Sequence, residues 1–336
     1  MPFREISGHT HLLGLLGAAA RRGSLPPSLI LSGPEGVGKR TAAVALAQAL
    51  NCVGAAAGGP PGPDACGVCS ACSRIARGVH PDVLTVAPGE TGAIRVDQVR
   101  DVIERTAYRP FEGRRRVTII DAADRMVDEA QNALLKTLEE PPASSSFILV
   151  TSRPDLLLPT VRSRCQRLRF GRLAPGETAA VLMRVHGWAP ADAHAAASVS
   201  DGSVGAALDG GSDEFAKARD AALRLLQAAA ASRDVRRRLD AAKSLTVAAR
   251  RGSDRDELAR RLRALASMIR DLGAVGARAD PKLLANADLV PLFDRLAAAF
   301  GGDRALRAFD AIDRALAALD RNASPKIVAD WVALQV

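Results

Sequence analysis

Gly33-Pro34-Glu35-Gly36-Val37-Gly38-Lys39 is a run whose residue types and spacing could do chemistry. Glycines let backbone amides turn inward onto a phosphate, and a lysine closing the run reaches the outer phosphates. The pattern asks next for Ser or Thr, whose hydroxyl holds Mg²⁺. Arg40 stands there instead, and Thr41 comes one residue late, a rotation of about 100° on a helix. The loop keeps its shape and lacks its metal ligand. Val117-Thr118-Ile119-Ile120-Asp121 reads as the second half of such a site, an apolar strand ending in an acid. Ala122 follows, with no proton acceptor, and Asp124, two residues further on, is expected to face elsewhere.

A second chemical cluster is made of sulfur. Cys66, Cys69 and Cys72 are each separated by two residues, and Cys52 precedes them by thirteen. Thiolates at such spacings suit a closed, tetrahedral, structural zinc site with no open position. Free thiols or a redox pair are the alternatives. A Gly/Pro run at 58–63 lies in the gap between Cys52 and Cys66. His80, the obvious substitute, reads as a loop residue before Pro81. An odd number of cysteines, five with four clustered, argues against a disulfide framework and for a reduced, cytoplasmic protein.

The elements that must position these residues follow from periodicity. Short aliphatic runs at 29–31, 83–86, 117–120, 147–150 and 168–170 read as strands, and stretches at 39–50, 96–108 and 127–138 read as helices. Alternation of this kind implies a parallel sheet covered by helices on both faces. After about residue 171 the strand signals stop. Residues 172–208 read as a small helical unit broken at Gly187 and Gly202, and Asp209 to Asp213 reads as a linker. Beyond it, Leu258, Leu262, Leu265, Ile269 and Leu272, and then Leu306, Phe309, Ile312, Leu316 and Leu319, recur at helical spacing. Arg236-Arg237-Arg238 reads as a solvated helix face. Hydrophobic residues make up 48% of the chain, enough for several cores, and no apolar run is long enough to span a bilayer. No secretory h-region follows Met1. The balance of 46 basic against 37 acidic residues, a net +9, suits work beside phosphate backbones. A high-GC coding bias would write the same arginines, so charge alone decides nothing.

Asn132-Ala133-Leu134-Leu135-Lys136-Thr137-Leu138-Glu139-Glu140-Pro141-Pro142, the strand ending at Thr151-Ser152, and Val161-Arg162-Ser163-Arg164-Cys165-Gln166 together resemble the clamp-loader branch of AAA+ proteins. The resemblance implies an α/β P-loop parallel-sheet domain at 1–170 carrying a four-cysteine zinc module at 52–72. A helical lid at 171–211 and an all-α collar at 212–336 would follow. It implies that Arg164 is an arginine finger aimed at a neighbouring subunit's ATP. Cys52, Cys66, Cys69 and Cys72 would hold zinc as the family's module does. Gly33, Gly36, Gly38, Lys39, Thr41 and Asp121 would form a nucleotide site. Hydrolysing members place Glu after that Asp and carry Arg in a lid Gly-Ser-x-Arg; here Ala122 and Gly205 occupy those positions. The departures imply a subunit that does not hydrolyse ATP, with its ATP binding left open. The partners implied are gamma/tau and delta subunits in a hetero-pentamer that loads a sliding clamp on primer-template DNA. An ATP-hydrolysing motor subunit is the alternative.

Overall fold

The computed structural model describes all residues except 55–63, 90, 233, 247–253, 281–283, 302 and 322; the expected Gly/Pro run at 58–63 therefore lies outside the described residues. The chain divides into two units, Met1–Leu173 and Ala174–Val336.

In the first unit the elements run α1 (Thr10–Arg22), β1 (Ser28–Ser32), α2 (Lys39–Asn51), α3 (Ser70–Ala76), β2 (Val83–Val86) and α4 (Val96–Thr106). They continue through β3 (Arg116–Ile120), α5 (Asp128–Glu139), β4 (Ser145–Thr151), α6 (Pro159–Arg162) and β5 (Gln166–Arg169). The five strands are all parallel, in the order β2-β3-β4-β1-β5. Side chains alternate across a strand, and the sequence uses both faces. Leu29, Leu31, Val117, Ile119, Ile148 and Val150 pack with Ala42 and Leu46 of α2 and Leu13 and Leu16 of α1. Their neighbours Ile30, Ile120, Phe147 and Leu149 pack on the other face with Val99 and Val102 of α4 and Leu134 and Leu138 of α5. Strands apolar on both sides are what a doubly covered parallel sheet requires.

One buried carboxylate organises the approach to β3. Asp82, fully buried, accepts the backbone N–H groups of Phe111 (2.7 Å), Glu112 (2.9 Å) and Gly113 (2.8 Å) and pairs with Arg116 Nη2 at 2.9 Å. Burial pushes its pKa up, but these donors outweigh burial and hold it at about 2.

The second unit is helical: α7 (Pro175–His186), α8 (Pro190–Val199), α9 (Val204–Ala231), α10 (Val235–Ala242), α11 (Asp254–Gly276), α12 (Val290–Leu296), α13 (Arg304–Asp320) and α14 (Pro325–Gln335). One apolar core runs from Ala179 and Leu182 through Leu262, Leu265 and Ile312 to Val332. Gly187 ends α7 in the left-handed region at φ 69°. The linker expected at Asp209 to Asp213 narrows to a break at Gly211, whose φ 68°, ψ 159° separates two helical stretches of α9. A Gly/Ser/Asp composition weakens a helix without forbidding it, and burial of Ala207, Phe215 and Ala218 on either side supplies the missing stability. Asp271 accepts Asn286 N at 2.7 Å and Asn286 Nδ2 at 2.8 Å, tying the segment before α12 to α11 through a buried network. Among the described residues no helix is long and apolar enough to cross a membrane.

Candidate functional site

The Gly33–Lys39 loop leaves the carboxyl end of β1, Asp121 follows β3, and Thr151 ends β4, so three chain segments meet at the edge where open α/β sheets bind ligands. Gly33 is required by space: a Cβ there would lie 2.2 Å from the Phe170 carbonyl oxygen. Lys39, only 6% exposed, donates from Nζ to Gly33 O at 2.7 Å and to Pro34 O, wrapping the loop round its own ammonium. Burial lowers its pKa, against the opposing pull of Glu35, Asp124 and Asp121.

Arg40 reaches from the first turn of α2 to Asp121, with Nε 3.3 Å from Oδ2. The Arg40 side chain is 65% exposed, so the pair itself contributes about 0–1 kcal/mol of stability. Its importance lies in where it puts a positive charge. A guanidinium offers donors and no lone pair, and it stands against the acid that closes the site. Ala122 sits in the left-handed region at φ 50° and gives its N–H to Asp121 Oδ1 at 3.1 Å. Thr41 is half-buried on the following position of α2.

Asp124 corrects an expectation: it does not face away. The left-handed turn at Ala122 and the 3₁₀ turn at Ala123–Arg125 bring its carboxylate back to the tip of β4. There it accepts the Thr151 hydroxyl at 2.7 Å and the Ser152 N–H at 3.3 Å, and pairs with Arg153 Nε at 3.3 Å. Burial raises its pKa, but these donors win and hold it below the usual carboxylate range. Ser152 Oγ donates to Glu35 Oε1 at 3.3 Å. Of the pocket's carboxylates, Asp121 is thus paired with Arg40 and Asp124 with Arg153, while Glu35 accepts from Ser152.

Arg164 lies on the short link between α6 and β5, after Pro159 at the first helical position sets the direction of that turn. Its Nε donates to Glu139 Oε1 at 2.8 Å, Nη2 donates to the same oxygen, and Nη1 donates to Thr160 O at 2.9 Å. The guanidinium is fixed at the surface, its side chain 31% exposed. Its neighbours are engaged elsewhere: Arg162 pairs with Asp155, and Arg167 Nε donates to Ser32 Oγ at 2.9 Å. Cys165 beside it is buried and its thiol is pushed up to about 12 by burial.

The four clustered cysteines come together, Cys52 included. Their sulfurs all lie within 4.8 Å of one another, with Cys52–Cys69 and Cys66–Cys72 each at 4.0 Å. Four thiolates around one zinc at about 2.3 Å would stand roughly 3.8 Å apart, so the set fits a tetrahedral ion. Backbone N–H groups point at the sulfurs: Cys66 N to Cys52 Sγ and Cys69 N to Cys66 Sγ, both 3.3 Å. Burial pushes Cys69 up, but hydrogen bonds from Cys72, Val53 and Gly54 reverse this and bring it to about 6. Gly54 makes the approach possible, since a Cβ there would lie 2.7 Å from Cys66 Sγ. Asp64 ties the module down by accepting Phe3 N at 2.8 Å and Arg4 N at 2.9 Å. His80 is elsewhere, buried against Asp82 N and Glu112.

Residues 8–174 match the family described as DNA polymerase III, delta subunit. The Pseudomonas aeruginosa DNA polymerase III subunit delta' is 43% identical over 137 residues, 40% of this chain and 40% of that one. This chain belongs to the clamp-loader family. The Mycobacterium tuberculosis DNA polymerase III subunit gamma/tau is 35% identical over 183 residues, 54% of this chain and 31% of the relative. This clamp-loader chain therefore spans less than half the length of either curated relative. A crystal structure of a gamma subunit-related protein from Thermotoga maritima aligns over 95% of this chain and 98% of its own, at 17% identity and a TM-score of 0.40.

Every residue of the clamp-loader chain discussed in this site lies inside the matched region or, for Phe3 and Arg4, just before it. Sequence reasoning missed Glu35, Arg153, Glu139 and Gly54. Glu139 stood in the Leu-Glu-Glu-Pro-Pro segment, and its distance of 25 residues from Arg164 gave no sign of contact. Glu35 and Arg153 carry no spacing signal; only the meeting of strand ends makes them partners.

Proposed function

We propose that this chain is a delta-prime-type stator of a clamp loader, which holds Arg164 for a neighbouring subunit's ATP and does not turn over ATP itself. The carrying observation is the Arg40–Asp121 contact at 3.3 Å, with Ala122 immediately after it. The position of the magnesium hydroxyl and the acid of the strand end are tied to each other, no carboxylate stands at the next position, and the acid after it, Asp124, is engaged by Thr151, Ser152 and Arg153. In a neighbour's site, the Arg164 guanidinium would neutralise charge developing on the transferred phosphoryl group. Glu139 and Thr160 O hold it ready, which limits the ordering cost when the neighbour docks.

The other assignments follow this reading. Residues 1–170 act as the AAA+ domain, 171–211 as the lid and 212–336 as the collar. Leu306 (74% exposed), Ile327 (69%), Phe309, Trp331 and Leu334 leave apolar area on α13 and α14 for contacts with gamma/tau and delta subunits in a hetero-pentamer. Sliding clamp and primer-template DNA are engaged through that assembly. Cys52, Cys66, Cys69 and Cys72 hold one structural zinc, which supplies cross-linking and no reaction step. The motor reading, favoured by the identity with gamma/tau relatives, needs a metal-binding hydroxyl at Arg40 and a base at Ala122. The test is Arg164→Ala in a reconstituted loader. Turnover at the adjoining ATPase site falls by about 10³-fold while the assembly elutes intact; unchanged turnover removes the finger.

A further inference from the structure

We infer that Arg40 is a built-in cation standing in for magnesium, so that this chain binds the polyphosphate of a nucleoside di- or triphosphate without a divalent metal. The inference rests on the non-hydrolysing reading and adds a binding property to the same pocket. Magnesium at a phosphate loop is held by oxygen atoms in an octahedron, among them the hydroxyl that opens the helix. Arg40 occupies that helical position and has only N–H donors. It takes Oδ2 of Asp121 at 3.3 Å, the carboxylate to which the metal's shell would bond, and a divalent cation beside it would be repelled. The loop around it is otherwise intact. Gly33, Gly36 and Gly38 keep positive φ, and Lys39 Nζ donates to the carbonyls of Gly33 and Pro34, which a phosphate would displace. With Nε on Asp121, the guanidinium retains four N–H groups on its terminal nitrogens, suited to bidentate contact with phosphate oxygens. Lys39 Nζ and the terminal nitrogens of Arg40 thus stand at the loop as fixed positive donors where other sites recruit a metal.

The experiment titrates the full chain with N-methylanthraniloyl-ADP by fluorescence anisotropy, in excess Mg²⁺ and in excess EDTA. The dissociation constants are expected to agree within about threefold. Arg40→Ser, which restores a hydroxyl, is expected to bind at least about tenfold more weakly in EDTA and to recover with Mg²⁺. Binding by the unmodified chain that tightens about tenfold or more with Mg²⁺ overturns the inference, as does no saturable binding in either buffer. The comparison on the unmodified chain stands even if the variant does not fold. Neither adverse result touches the stator reading, which needs no bound nucleotide and is read separately by Arg164→Ala.

Discussion

Arg164 is useful to a neighbour only if it is ordered before the neighbour arrives, and its contacts with Glu139 and Thr160 O do that ordering. Glu139 touches no partner nucleotide in this account; it is a positioning residue. Glu139→Gln keeps shape and removes charge, so the finger loses its strongest restraint. Steady-state kinetics on the reconstituted loader should then show kcat at the adjoining site lowered by about tenfold with KM for ATP unchanged. An unaltered kcat would mean that Thr160 O and Ser163 suffice. At this scale the sequence was informative about identity and poor about pairing. Lys39, Arg40 and Asp121 announced themselves by type and spacing and Arg164 only through the family resemblance, whereas the Asp124–Thr151 bond depends on a left-handed Ala122, a conformation that no side-chain pattern encodes.

At the scale of elements, the strands and three of the four long helices of the first unit could be read, because continuous aliphatic runs and helical patterns bury distinct sets of side chains; α1 was not read. Helix α3 could not be: its seven residues offer a buried face of only Ala71, Cys72 and Ile75, too short to show a period, and Cys69 Sγ caps it by accepting Cys72 N. The sulfur module and this short helix therefore stand together. Purified under reducing, chelator-free conditions, the chain should contain one zinc per molecule by atomic emission. Cys69→Ser should release the metal and lower the melting temperature of the first unit by about 5 °C or more. Full melting temperature without metal would make the module a thiol cluster only. At Asp209 to Asp213 the composition pointed to a break, which Gly211 makes; that helix runs close on both sides follows from the burial of Ala207 and Phe215, which composition does not report.

For the whole molecule, stability and chemistry are carried by different groups. Asp82 anchors the segment leading into β3, and its pKa of about 2 lies below the ordinary carboxylate value. A carboxyl lowered on folding stabilises the native state above its unfolded pKa, and that contribution disappears as pH falls through the folded one. Between about pH 4 and pH 2, Asp82 should therefore account for about 2 kcal/mol of lost unfolding free energy. Urea titrations across that range should show a flatter pH dependence for Asp82→Asn, along with lower stability at neutral pH; an identical slope would assign the acid sensitivity elsewhere. The division into a sheet unit and a helical unit was visible in the loss of strand signals after residue 171. The continuous core of the second unit was not, because helical stripes do not say which helix each will meet.

The most direct measurement is ATP hydrolysis by the purified chain alone, with Mg²⁺ and without partners. Phosphate release should not exceed the buffer blank, because Arg40 and Ala122 stand where a metal-holding hydroxyl and a water-orienting carboxylate belong, and Asp124 is tied to Thr151 and Arg153. Sustained, magnesium-dependent turnover on the order of 1 s⁻¹, abolished by Lys39→Ala, would contradict the account and make this chain a motor.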